Sequence, residues 1–203
     1  LGDVYKRQVY PFTPQPAITQ ALLTVAECPV FVGVGGGTTT GKRSVQMAAV
    51  SEMQGAAGCV VNSPATAEMV EHITNIADIP VIATVVRCDD DAHAKVRAGA
   101  KILNIAAGKN TPQVLRELRE HYPNLPLIAP GGKTPESIRE TIAAGANAII
   151  WTPPSAQQLQ TDMMQRYRKM KEDATPVISR DDVPIIDQVA AAEVSQVENM
   201  NPD

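Results

Sequence analysis

Residues 80–105 read PVIATVVRCDDDAHAKVRAGAKILNI, from Pro80 to Ile105. The run Pro80–Val86 is apolar on both faces and rich in Val and Ile, as a strand covered on both sides should be. Asp89-Asp90-Asp91 then leads into a segment, Asp90–Ala98, with helical spacing. Negative charge is stabilising at a helix N-terminus, so Asp90 and Asp91 read as its cap. Gly99 stands where that helix should stop. A second apolar run, Ala100–Ile105, follows at once. Strand, helix and strand in so short a space form one βαβ unit, whose strands must be parallel.

The pattern repeats outward. Further strands are expected at Pro29–Val34, Gly58–Asn62, Leu125–Ala129 and Ala146–Trp151. Helices are expected at Gln15–Glu27, Ser44–Gln54, Ala67–Ala77, Pro112–Tyr122, Pro135–Ala144 and Ala156–Lys171. Thr111 before Pro112, and Thr134 before Pro135, read as an N-cap and a first-turn proline. The stops Gly55, Gly99 and Gly145 recur at intervals of 44 and 46 residues, two units each. Six βα units from Val30 to Lys171 predict an α/β fold, a (βα)8 TIM barrel of the phosphate-binding type, with its N-terminal part cut away.

Residues 1–8 show no hydrophobic period, and Asp3–Gln8 match one reading frame of a transposon sequencing adapter. They are set apart as a scar, which leaves 9–171 as the partial barrel. Two further strands are then expected from ahead of the chain and from around Val9–Tyr10. Residues 172–203 hold eight acidic residues and one basic residue, Arg180, and read as a solvated acidic tail.

Composition narrows the function. The net charge is -4 and 3% of residues are aromatic, so neither a phosphate-tracking surface nor a base-stacking platform for nucleic acid is expected. No apolar run is long enough for a membrane span. Cys28, Cys59 and Cys88 form no CxxC pattern and fit a reducing cytoplasm.

In parallel α/β folds chemistry sits at the carboxyl ends of the strands. Those positions hold Gly35, Gly36, Thr38, Ser63, Thr84, Arg87, Asn104, Gly131, Gly132, Lys133, Thr152 and Ser155. Gly131-Gly132-Lys133-Thr134 enters a helix, so main-chain N–H groups and the helix dipole suit a phosphate or carboxylate. Gly36–Lys42 also fits the G-x-x-x-x-G-K of a nucleotide-binding P-loop, but Ser44 comes one place late for a magnesium ligand.

His72, His93 and His121 fall on helices and read as surface or packing residues. Cys59 reads as core. Cys88 is at a strand end with no activating histidine near it in sequence. Met163 and Met164 read as packing on the last helix. No metal and no cofactor is expected.

Read together, these motifs resemble the bacterial keto-deoxy-phosphogluconate aldolase family. Pro11-Phe12-Thr13-Pro14, Gly33–Gly37, Asn62-Ser63-Pro64-Ala65, Ala129-Pro130-Gly131-Gly132 and Pro153-Pro154-Ser155 stand where the family has its motifs. The resemblance implies a TIM barrel acting on small keto acids. The family's Schiff-base lysine corresponds to Asn104, which cannot form an imine. Lys101 lies three residues earlier, expected deeper in the barrel, and Phe12 replaces the family's active-site arginine.

The expected protein is an enzyme acting on a small phosphorylated or keto-acid metabolite without a lysine imine. Asn104, Arg87 and Lys133 are its candidate catalytic residues. The alternatives are a non-catalytic metabolite-binding barrel, an aldolase using Lys101 and a P-loop nucleotide binder. A homo-oligomer is compatible with all four.

Overall fold

The computed structural model describes residues 6–8, 15–132, 134–151 and 156–173. The chain divides into two compact units, the first ending at Trp151. In the first, seven strands among the described residues form one parallel sheet: β1 (Lys6–Gln8), β2 (Val30–Gly35), β3 (Gly58–Val61), β4 (Val81–Val85), β5 (Ile102–Ile105), β6 (Leu127–Pro130) and β7 (Ala148–Ile150). Their order across the sheet is their order in the chain. A doubly wound sheet reverses order partway; a barrel does not. The arrangement is that of a partial TIM barrel.

Helices α1 (Pro16–Val25), α2 (Gly41–Met53), α3 (Ala67–Thr74), α4 (Asp90–Arg97), α5 (Thr111–His121) and α6 (Pro135–Ala143) connect the strands from β2 onward or lead into them. Their inner faces pack Val70, Ile73, Leu115 and Leu118 against Val32, Val61, Val85, Ile105 and Leu127 of the sheet. Successive strand residues point to opposite faces. Val60 and Ile82 are also buried but lie outside this helix-side core. They belong to the other, barrel-inner face. A Cβ on Gly58 would meet Ile82 Cδ1 at 2.9 Å and Phe31 Cδ1 at 3.1 Å, so these residues share that face.

Most expected elements are present, shifted by a few residues at their ends. Two expected helix caps change, those of α4 and α5. Lys6–Gln8, within the stretch set apart as a scar, pairs with Val30–Val32 as an edge strand. Ladder pairing uses backbone groups, so the side chains of 1–8 gave no sign of it. Val9–Tyr10 lies outside the described residues. Thr111 is the first residue of α5 and not its cap, because a 3-10 turn, Gly108–Asn110, precedes it. On α4 the cap is Asp89, whose Oδ1 accepts from Ala92 N at 3.0 Å, with Asp90 and Asp91 in the first turn. Thr134 caps α6 as expected. Gly55, Gly99 and Gly145 take φ of 94°, 103° and 107°, the left-handed conformation of a helix stop.

In the second unit α7 (Ala156–Asp173) is described. Met163 and Met164, expected to pack, are exposed on it. The stretch 174–203 expected as an acidic tail lies outside the described residues. No helix among the described residues is long and apolar enough to cross a membrane.

Candidate functional site

Thr84 and Asn104 face each other in register on β4 and β5. Asn104 Nδ2 donates to Thr84 Oγ1 at 3.0 Å, which places both side chains on one face of the sheet. Alternation puts Ile82 and Ile102 on that same face, so the pair is a polar spot on the apolar barrel-inner side. Both residues are buried, Asn104 to 2% exposure, and Asn104 Oδ1 has no hydrogen-bond partner among the described residues. Leaving a buried amide oxygen unpaired costs about 1–3 kcal/mol. Folding alone gains nothing from that arrangement, whereas a ligand that donates to Oδ1 would.

The loops at the carboxyl ends of neighbouring strands surround this pair in strand order. After β2 the register with β3 slips between Gly33 and Gly35, a bulge that re-aims the chain into the glycine loop. Gly36 N donates to Thr39 O at 2.8 Å and Asn62 N to Gly35 O at 2.9 Å, so the loop folds on itself and onto the β3 end. Ser44 is buried and its hydroxyl donates to Thr39 O at 3.0 Å. That hydroxyl is turned away from any P-loop magnesium role. Thr38 is exposed, while its neighbour Thr39 is buried with Oγ1 unpartnered among the described residues.

Ser63 is held through its carbonyl, which accepts from Lys95 Nζ at 2.7 Å. Lys95 is fully buried and pairs with Asp91 Oδ2 at 2.6 Å, forming a strut from α4 to the β3–α3 loop. Arg87, two residues past β4, is exposed and has no ion pair or hydrogen bond to another described residue. Its guanidinium is available for an anion. Lys101 is exposed ahead of β5, at the amino side of the sheet, and not deep in the barrel.

At the end of β6, Gly131 is buried. A Cβ there would meet Ile149 Cγ2 at 2.6 Å and Ile138 Cγ1 at 2.8 Å, so α6 and β7 close in on this glycine. The α6 N-terminus is served by its own side chains. Thr134 Oγ1 accepts from Ser137 N, and Ser137 Oγ accepts from Thr134 N, each at 3.2 Å. Glu136 takes its own backbone N–H, which holds its carboxyl below the ordinary value. Lys133, Thr152 and Ser155 lie outside the described residues.

Two constellations escaped the sequence reading. Arg119 donates to the carbonyls of Tyr122, Pro123, Leu125 and Gly145 and to Asn147 Oδ1, at 2.7–3.1 Å, tying two helix–strand turns together. His93 meets Cys88, with Nε2 to Sγ 3.8 Å, so the expectation of no histidine beside this thiol is corrected. The five-residue step was visible, but the fold around the α4 cap was needed to bring the two together. Burial raises the Cys88 thiol above its ordinary value, with smaller contributions from Glu117, Asp89 and Glu120. It therefore stays protonated near neutral pH and is not an activated nucleophile.

No protein-family model and no curated protein matches the sequence. Solved structures do match in fold. A phosphoenolpyruvate phosphomutase from Streptomyces platensis subsp. rosaceus is 16% identical, covers 91% of this chain and 77% of its own, and gives a TM-score of 0.60. A 2,3-dimethylmalate lyase, a PEP mutase/isocitrate lyase superfamily member, is 15% identical over 91% of this chain and 75% of its own, with a TM-score of 0.58. A phosphonopyruvate hydrolase gives the same four values. These are aldolase-type TIM barrels, and at such identities the likeness is one of fold. None of the three is a keto-deoxy-phosphogluconate aldolase, so the narrower family likeness is not carried over.

Proposed function

We propose that this chain is a lyase-like barrel enzyme that binds a small phosphorylated or keto-acid metabolite at the carboxyl ends of its strands and uses no lysine imine. The observation that carries the reading is the buried Thr84–Asn104 pair, with Asn104 Oδ1 unpartnered among the described residues. Its support is the kind of chemistry that the neighbours' names describe, on phosphoenolpyruvate, phosphonopyruvate and dimethylmalate.

In this reading Asn104 and Thr84 hydrogen-bond the substrate's central oxygens. Arg87 and Lys133 stabilise negative charge that develops there. Gly131 and Gly132 hold the anionic end, in competition with the Glu136 carboxylate at α6. Gly35, Gly36, Thr38 and Ser63 line the opposite wall. The three cysteines are thiols, which suits a cytoplasmic enzyme.

One neighbour, a phosphonopyruvate hydrolase, is solved with oxalate and Mg++. Magnesium takes carboxylate oxygens. The inner-face positions at the ends of β4 and β5 carry Thr84, Val86, Asn104 and Ala106, while Asp89 caps α4 and Asp91 pairs with Lys95. The described residues do not fit that ion, and no step is assigned to it.

The test is a thermal-unfolding panel of phosphoenolpyruvate, pyruvate, oxalate and inorganic phosphate against the parent chain and Arg87→Ala. The reading predicts that a keto or phospho acid raises the Tm of the parent and raises that of Arg87→Ala less. No shift with any of the four overturns it. Binding without turnover would favour the non-catalytic barrel, which the lack of a carboxylate or histidine on the described inner face also supports.

A further inference from the structure

We infer that Cys88, His93 and His121 form a binding site for a zinc-like divalent metal ion, on the helix side of the sheet and apart from the Thr84–Asn104 pair. Cys88 follows β4, His93 lies in α4 and His121 ends α5. One ligand atom from each falls within 4.8 Å of the other two. Around a tetrahedral zinc, sulfur and nitrogen ligands stand about 3.5 Å apart. The Cys88 Sγ to His93 Nε2 separation of 3.8 Å is already close to that. His93 and His121 meet edge to face with ring centroids 4.9 Å apart, so a small χ rotation of the exposed His121 brings its nitrogen in.

The surroundings are those of a prepared ligand set. Metal-bound histidines as a rule give their second ring nitrogen to a hydrogen-bond partner that fixes tautomer and orientation. His93 Nδ1 stands 2.7 Å from Tyr122 Oη. With Nδ1–H donating to that oxygen, the Nε2 lone pair faces the thiol. Tyr122 is held in turn, because its carbonyl accepts from Arg119 at 3.1 Å. One thiolate and two imidazoles suit zinc and its cobalt substitute better than magnesium or calcium. Binding releases the thiol proton to solvent, and three protein ligands leave a fourth position for water or an outside ligand.

The experiment is titration of the full chain, stripped with chelator, with Co²⁺, read by absorbance. The site predicts one equivalent bound with a sulfur-to-cobalt charge-transfer band. Cys88→Ala abolishes the band and His121→Ala weakens binding, while His72→Ala leaves both unchanged. Tyr122→Phe, which keeps the ring and removes the hydroxyl, weakens Co²⁺ binding about 10-fold or more. Circular dichroism of each variant separates loss of a ligand from loss of fold. Cobalt bound without a charge-transfer band, no binding at all, or an unchanged band in folded Cys88→Ala overturns the inference.

Discussion

Asn104 is buried with an amide oxygen that no described residue hydrogen-bonds, a cost in the folded state that a donating ligand would offset. Replacing both members of a buried hydrogen-bonded pair with apolar groups of similar shape is neutral or stabilising. The double variant Thr84→Val/Asn104→Leu is therefore expected to be as stable as the parent or more stable by about 1 kcal/mol, measured by urea denaturation. A loss of several kcal/mol would mean the pair is structural. Asn104 was legible because strand-end positions can be read from the apolar runs. Thr39 was not, because only the folded loop shows which of three consecutive threonines turns inward.

Cys59 makes a second prediction at this scale. Burial raises its thiol from 9.0 to about 12, so the folded state holds the proton that the unfolded chain gives up. The stabilisation is full below about pH 9 and is lost as pH rises toward 12, by about 1.4 kcal/mol per pH unit. Between pH 9 and 11, Cys59→Ala should lose about 2 kcal/mol less stability than the parent, read from urea midpoints. Equal losses would refute it.

At the scale of the element, the glycine loop between β2 and α2 is built around Gly36. Its φ is +96°, and a Cβ would meet the backbone N and O of Asn62 at 2.7 and 2.8 Å. Those atoms belong to the β3 end and cannot swing away as a side chain could. Gly36→Ala is expected to cost more than about 2 kcal/mol. Gly41→Ala, with φ +57° and nothing within 4 Å, should cost only about 1 kcal/mol. Equal costs, by chemical denaturation, would show that the loop yields. Helices and strands were legible from their period and from the glycine stops at 55, 99 and 145. Their ends were less so: the 3-10 turn before Thr111 and the shift of the α4 cap to Asp89 depend on tertiary packing. Lys95 and Arg119 were invisible for the same reason, since each makes part of its contacts 26 or more residues away in sequence.

For the whole molecule, the sequence pointed to parallel βα units, and the order of the sheet then separated a barrel from a doubly wound fold. The structure added β1, which only backbone pairing reveals, and put the Thr84–Asn104 pair on the barrel-inner face. The central claim is that this face binds a small keto or phospho acid through Thr84 and Asn104. The most direct measurement is calorimetric titration of phosphoenolpyruvate, and separately oxalate, into the parent and the Thr84→Val/Asn104→Leu variant. The account predicts saturable binding of at least one to the parent and a loss of at least about tenfold in affinity in a variant that remains fully folded. Equal affinity in both proteins, or none in the parent, would contradict it.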